Sequence, residues 1–74
     1  MTDTDRLAYE TVTFFEEFLL REFNTRATDE DCLRVRNAAE DLISDDAEYW
    51  SARGCPRIYD AACQAIGLKP YAHS

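Results

Sequence analysis

The side chains that could carry out chemistry in this 74-residue chain are three cysteines, one histidine and fifteen carboxylates. His73 lies near the C-terminus, beyond Pro70, so the body of the chain has no histidine to place beside a nucleophile or a carboxylate. General acid–base and nucleophilic catalysis at neutral pH commonly depends on such a histidine. The sequence therefore predicts a protein that is not an enzyme.

The thiols belong to Cys32, Cys55 and Cys63. An odd number of cysteines without a secretory signal predicts reduced thiols rather than a disulfide framework. Cys55 is expected at a helix N-terminus near Arg53 and Arg57, where a thiolate is favoured, so a reactive cysteine is an alternative to a plain cap residue. The cysteine spacing is not that of a metal site and no Glu-x-x-His pair is present, so neither a metal nor another cofactor is expected.

The densest chemical feature is an array of carboxylates in the middle of the chain. Eight of the fifteen acids fall within twenty residues, and two aromatic residues follow them. Two helix starts can account for many of these acids, because negative charge is favourable at a helix N-terminus. Alternatively, the array imitates nucleic-acid phosphates and binds a basic protein surface, with the aromatic residues as anchors. The predicted partner-binding residues are Asp29, Glu30, Asp31, Glu40, Asp41, Asp45, Asp46, Glu48, Tyr49 and Trp50.

Capping and helix-breaking signals divide the chain into four predicted helices. The first runs from about residue 3 to 24 after a Thr2 cap, and the second runs from a Thr28 cap to about residue 44. A short third helix lies between an Asp45 cap and Gly54, and the fourth has Cys55 as its cap and ends at residue 67. Residues 69–74 form a tail. The pattern predicts an all-α protein, a compact bundle of about four helices with three main and one short, in a single domain over residues 1–74.

The first helix is the most apolar element and predicts where the core lies. Between Leu7 and Phe23, apolar residues cover roughly 240° of its circumference, well beyond the roughly 100° stripe of an ordinary surface helix. Such a helix needs cover on several sides. Tyr9 and Leu20 lie at the far margin of this sector, where a docking or dimer surface could remain. The last helix is expected to pack through Ile58, Ala61, Ala62, Ala65 and Ile66.

Composition limits the classes of partner. Fifteen acids against eight bases give a net charge of −7, which disfavours direct contact with nucleic acid or an anionic membrane and favours a basic protein surface. The N-terminal MTDTDR segment lacks the apolar run of a secretory signal. The first helix is too short and too charged to span a bilayer. An intracellular, cytoplasmic protein is therefore expected.

Two further functions remain open. The short third helix, the glycine turn and the last helix could form a helix-turn-helix, with Arg57 and Gln64 as base readers and Lys69 on phosphate. Only two basic residues follow position 53, which is few for binding the phosphate backbone of a nucleic acid. Alternatively, a structural homodimer or assembly subunit could bury the surplus apolar surface of the first helix, because a chain of this size offers little cover.

A very small, acidic, helical chain without catalytic residues resembles the phage-encoded inhibitors of host defence, particularly anti-CRISPR proteins. The resemblance lies in the size and charge of the whole chain, and no sequence motif carries it. It implies a non-enzymatic inhibitor that occupies a basic, nucleic-acid-binding surface of a partner protein in the host cytoplasm. Asp41, Asp45, Asp46 and Glu48 would supply the charge, and Tyr49 and Trp50 the anchor.

Overall fold

A computed structural model describes residues 2–68 of the chain. They form four helices, α1 (Asp3–Phe23), α2 (Asp29–Asp45), α3 (Ala47–Arg53) and α4 (Cys55–Ile66), and contain no strand. The predicted all-α class is confirmed, as is the bundle of three main helices and one short one. The predicted tail over residues 69–74 lies outside the described residues. Within residues 2–68, none of the helices is both long enough and apolar enough to cross a membrane.

The first helix begins and ends as its sequence predicts. The backbone N–H of Asp5 donates to the Thr2 hydroxyl at 3.2 Å, and the Thr2 N–H donates to the Asp5 carboxylate at 3.4 Å, which completes a capping box. The helix ends because Asn24 takes the left-handed conformation, with φ of 49°. This gives a straight run of 21 residues, about 32 Å long.

The wide apolar face of α1 is covered from two sides. Leu7 and Ala8 pack in one buried cluster with Ile58 of α4 and with Ala39 and Ile43 of α2. A second buried cluster joins Phe15 and Leu19 of α1 to the other two long helices through Val35, Tyr59 and Cys63. Each of the three long helices thus packs against the other two, and the buried residues of this core include the small Ala8, Ala39 and Ala62.

An aromatic group fills the second cluster and sets the orientation of α4. The ring of Tyr59 lies 5.6 Å from Phe14, 5.5 Å from Phe15 and 5.9 Å from Phe18, measured between centroids. These separations are typical of favourable aromatic pairs. Tyr59 was not in the packing face predicted for this helix.

The predicted packing face of α4 is therefore partly wrong. Ile58 and Ala62 are buried as predicted, but Tyr59 and Cys63 are buried too and Ala65 is exposed. The buried face is rotated by about 60° from the predicted one, at 100° per residue. The physical reason is that the phenylalanines of α1 bury the large ring of Tyr59 in preference to a row of alanine methyl groups.

The junctions around α3 also differ in register from the prediction. Asp46, not Asp45, caps this helix, and its carboxylate accepts the backbone N–H of Tyr49 at 3.1 Å. Asp45 remains inside α2, whereas Asp46 has a non-helical backbone and its side chain caps α3. Gly54, not Cys55, precedes α4, and its φ of 82° allows the chain to turn directly from one helix into the next.

One long-range polar contact ties α2 to the end of α4. The Arg34 guanidinium donates to the carbonyl oxygen of Ile66 at 2.7 Å. Carbonyl groups in the last turn of a helix have no partner within the helix, so a basic side chain from a neighbour satisfies one of them. Arg34 therefore holds the C-terminal end of α4 against the middle of the bundle.

Removal of the Asp46 carboxylate should destabilise the protein, whereas removal of the Asp45 carboxylate should not. Asp46→Ala is expected to lower the free energy of unfolding by about 0.5–2 kcal/mol, because the Tyr49 N–H loses its acceptor. Asp45→Ala, the matched control, should stay within about 0.5 kcal/mol of the wild type. Urea unfolding followed by far-UV circular dichroism measures both. Equal losses would contradict the assignment of Asp46 as the cap.

Candidate functional site

The ten residues predicted to bind a partner do not form one surface. Asp29, Glu30 and Asp31 occupy the first turn of α2, whereas Asp45 is its last residue. The two ends of this helix are about 24 Å apart at 1.5 Å per residue. The structure therefore separates the predicted array into two groups, with Glu40 and Asp41 nearer the second.

The acids at the start of α2 serve the helix itself. Thr28 caps it by accepting the backbone N–H of Asp31 at 3.1 Å, and the three carboxylates lie beside the positive end of the helix dipole. Asp31 also lies 3.8 Å from the Arg34 guanidinium. Glu40 is likewise occupied, since it accepts a hydrogen bond from Arg36 at 3.0 Å. Asp31 and Glu40 thus have arginine partners, whereas Asp29 and Glu30 are favoured by the helix dipole alone.

The second group surrounds the junction of α2 and α3, and we call Asp41, Asp45, Asp46 and Glu48 the acidic corner. Asp41 and Asp45 are four residues apart and so project from the same side of α2. Asp41, Asp45 and Glu48 are exposed. Their carboxylates form no hydrogen bond or ion pair with any other residue in the described range 2–68. Their charges are available to a partner.

The two predicted anchors lie next to the acidic corner but differ in availability. Tyr49 is exposed, whereas Trp50 is half-buried and packs against the cluster that contains Leu7 and Ile43. The two rings meet edge to face at 4.9 Å. Arg53 covers one face of Tyr49, with its guanidinium carbon 3.6 Å from the ring centroid. Trp50 thus supports Tyr49 from the core.

The stacking of Arg53 on Tyr49 was missed in the sequence, although the spacing that produces it is visible there. Residues four apart on a helix are neighbours, and an arginine beside a tyrosine ring makes a favourable cation–π contact. Tyr49 nevertheless remains 44 % exposed and so can contact a partner. It also places a positive charge at the border of the acidic corner.

A groove between α3 and α4 has a different character. It has a volume of about 560 Å³ and contains two arginines and one acid. Arg57 and Gln64, the predicted base readers of a helix-turn-helix, do lie along it, while Lys69 falls outside the described residues. The groove is lined by Tyr49, Trp50, Arg53, Arg57, Asp60, Ala61 and Gln64.

An apolar surface runs along the junction of α1 and α2, and we call it the α1–α2 seam. Tyr9 is 66 % exposed, Leu20 60 % and Leu33 57 %. The predicted exposure of Tyr9 and Leu20 is thus observed, but Leu33 was missed because it lies off the apolar arc of its helix. Two hollows lie along the seam. The first, of about 290 Å³, is lined by Tyr9, Val12, Asp29, Cys32, Leu33 and Arg36. The second, of about 370 Å³, is lined by Glu16, Leu20, Arg26 and Ala27.

The cysteines are placed unfavourably for nucleophilic chemistry. The Cys55 thiol donates to the Glu10 carboxylate at 3.8 Å. Burial raises the pKa of this thiol, a hydrogen bond with Thr11 opposes that shift, and the charge of Glu10 adds to it. Burial also raises the pKa of Cys32 and of Cys63. No group of three His, Cys, Asp or Glu residues in the described part of the chain could hold a metal ion.

Comparison of the chain with models of protein families, with curated proteins and with solved structures finds no match. The acidic corner, the α3–α4 groove and the α1–α2 seam are the surfaces from which its function can be inferred.

Alkylation rates should show that Cys55 is not an activated thiol. Iodoacetamide at mildly alkaline pH is expected to modify Cys55 more slowly in the folded chain than in the urea-unfolded chain, since a raised pKa leaves a smaller thiolate fraction. Glu10→Gln should accelerate the reaction by removing the carboxylate beside the thiol, and Glu17→Gln is the matched control. Peptide mass spectrometry gives the rates.

The reverse order, with Cys55 faster in the folded chain, would contradict this prediction and restore the reactive-cysteine alternative. Faster labelling of Cys55 than of Cys63 carries no such information, because Cys63 is fully buried and Cys55 is not.

Proposed function

We propose that this chain is a non-enzymatic inhibitor that binds a basic, nucleic-acid-binding surface of a partner protein through its acidic corner. The observation that carries the proposal is that Asp41, Asp45 and Glu48 are exposed and make no pair within residues 2–68. Of the other acids of the array, Asp46 caps α3, and Asp31 and Glu40 lie beside arginines. Asp29 and Glu30 lie in the first turn of α2, where negative charge is favourable. Asp41 and Asp45 therefore carry charge that no cap, arginine or helix dipole within residues 2–68 accounts for.

Charge and shape at the corner suit a surface that normally binds phosphates. The carboxylates of Asp41 and Asp45 are one helical turn apart, and those of Asp46 and Glu48 continue beyond the end of α2. A groove lined with Lys and Arg binds nucleic acid largely through its charge, and a row of carboxylates can occupy the same positions. The net charge of −7 would steer the two proteins together before contact.

Tyr49 supplies the apolar part of the contact. Its ring contacts Trp50, which the core supports, and the guanidinium of Arg53. Because the ring is already fixed, little side-chain entropy is lost when a partner packs against it. Aromatic residues of this kind are common energetic centres of protein interfaces. Charge therefore contributes to the association rate, and the tyrosine slows dissociation.

The specific form of the proposal, an anti-CRISPR-like protein that acts by DNA mimicry, is supported by the small size, the helical architecture and the acidity of the chain. Its target would be a nucleic-acid-binding complex of the host. A chain of this kind needs no cofactor and no catalytic residue, because occupancy of the binding surface is sufficient for inhibition.

Reversal of charge at the corner is expected to weaken binding to the partner strongly. Immobilised wild type should retain a nucleic-acid-binding protein from a lysate of the source organism, and duplex DNA or raised salt should release it. Asp41→Lys/Asp45→Lys spares the Asp46 cap and should weaken binding of the identified partner by about tenfold or more. Glu17→Lys/Glu22→Lys changes the net charge equally on α1 and should retain most of the binding.

Three results would contradict the proposal. These are binding that is insensitive to salt, equal losses for the two charge-reversal variants, and a gel shift of DNA by the chain itself at low salt. The last result would favour the helix-turn-helix alternative and direct attention to the α3–α4 groove.

A further inference from the structure

The α1–α2 seam is a second surface that the proposed function does not use. The described residues leave five large apolar side chains exposed, and three of them, Tyr9, Leu20 and Leu33, lie along this seam. Of the other two, Phe23 packs on Phe18 at 6.0 Å and Tyr49 belongs to the corner. The grouping of exposed apolar residues on one face is typical of an interaction surface.

The seam has both projections and hollows. Tyr9 and Leu20 are eleven residues apart on the same side of α1, or about 16 Å along its axis. A hollow of about 290 Å³ lies beside Tyr9 and Leu33, and one of about 370 Å³ lies beside Leu20. A partner that offers apolar side chains at matching intervals could fill these hollows while its own hollows receive the projecting residues.

The charges at the seam distinguish between kinds of partner. The two hollows contain two acids, Glu16 and Asp29, and two arginines, Arg26 and Arg36, so their lining has no net charge. A strongly basic partner would find its complement at the acidic corner instead. A mixed, neutral lining is complemented by another surface of the same kind, because in a two-fold contact the acids of one copy can face the arginines of the other.

We infer that the α1–α2 seam is the interface of a homodimer, in which two copies of this chain pack the seams against each other around a two-fold axis. The occupant of each seam is the Tyr9, Leu20 and Leu33 surface of the second copy. Arg36 can exchange its exposed contact with Glu40 for an acid of the partner copy at small energetic cost, since surface ion pairs contribute little.

The size of the face is sufficient for a weak dimer. The molecule measures 32 × 23 × 18 Å, so one whole side bounded by the longest and shortest axes covers about 600 Å², which is the upper limit for a contact on one side. Specific interfaces at the small end of the range bury about 600 Å² on each partner. A contact of this size is expected to give a weak dimer, and it would cover apolar surface that a bundle of this size leaves open.

Salt dependence separates this inference from the proposed function, on which it does not rest. Two copies that each carry −7 repel one another at long range, while the seam itself is neutral and apolar. Raising salt from about 0.1 M to about 1 M shortens the Debye length from about 10 Å to about 3 Å and so removes the repulsion. The dimer should become tighter under the same change that releases a basic partner from the acidic corner.

Sedimentation equilibrium of the full chain from about 1 to 300 µM, a range that brackets the expected affinity, tests the inference directly. The mass should double with concentration. Leu33→Asp should raise the dissociation constant by about tenfold or more, because a two-fold interface loses the contact twice. Leu33→Gln, which adds no charge, should weaken the dimer to a lesser extent. Ser51→Asp, an exposed position on α3, is the charge-matched control and should have no effect.

Two results would overturn the inference. One is a monomer at every concentration, including high salt. The other is a dimer that Ser51→Asp weakens as much as Leu33→Asp. Circular dichroism spectra of all variants establish that they are folded, and Leu20→Gln at the other end of the seam gives an independent measurement. If Leu33→Asp weakens binding to a different protein and the chain is monomeric, the seam belongs to that partner and the homodimer is wrong.

Discussion

The structure depends on the width of the apolar face of α1. A helix with apolar residues over most of its circumference cannot be covered by one neighbour, so α2 and α4 both pack against it. Their positions fix the short α3, which has only a few residues to connect them. The sector of α1 that neither neighbour covers is the one with Tyr9 and Leu20, so the seam follows from the same constraint that builds the core.

Most acidic residues of this fold lie where a helix dipole or an arginine favours negative charge. Acids at the start of α1 and α2 lie beside the positive ends of the helix dipoles, and those within reach of arginines form surface pairs. The corner differs because Asp41 and Asp45 lie toward the C-terminal end of α2, where negative charge is unfavourable to the dipole. Acids that oppose the local field and have no partner within residues 2–68 are the ones that a binding role explains best.

The helices were predictable from the sequence because caps and apolar spacing are local signals. The helix ends are set by caps that depend only on neighbouring residues. These are Thr2 with Asp5 and Asn24 for α1, and Thr28 for α2. The burial of Tyr59 was not predictable in this way, since it depends on the rings that α1 presents to it.

The candidate site shows the same division. Eight acids within twenty residues of sequence appear as one array, but the length of α2 places one group at its start and the other near its end. The choice between Asp45 and Asp46 as the cap depends on one backbone rotation that the two adjacent aspartates cannot indicate. The exposure of Leu33 becomes meaningful only when Tyr9 is placed beside it across the seam. The sequence therefore predicts which segments are helical but leaves undetermined how the helices contact one another.

The acidic corner and the seam can act together because they do not overlap. Leu33 and Asp45 are twelve residues apart on α2, or about 18 Å along its axis, and no residue lines both surfaces. A dimer joined at the seams would therefore present two corners at a fixed separation. A partner with two basic surfaces, such as a two-fold symmetric nucleic-acid-binding protein, would meet the second corner at high effective concentration. Weak binding at each of the two corners would then be enough for the dimer to bind such a partner tightly.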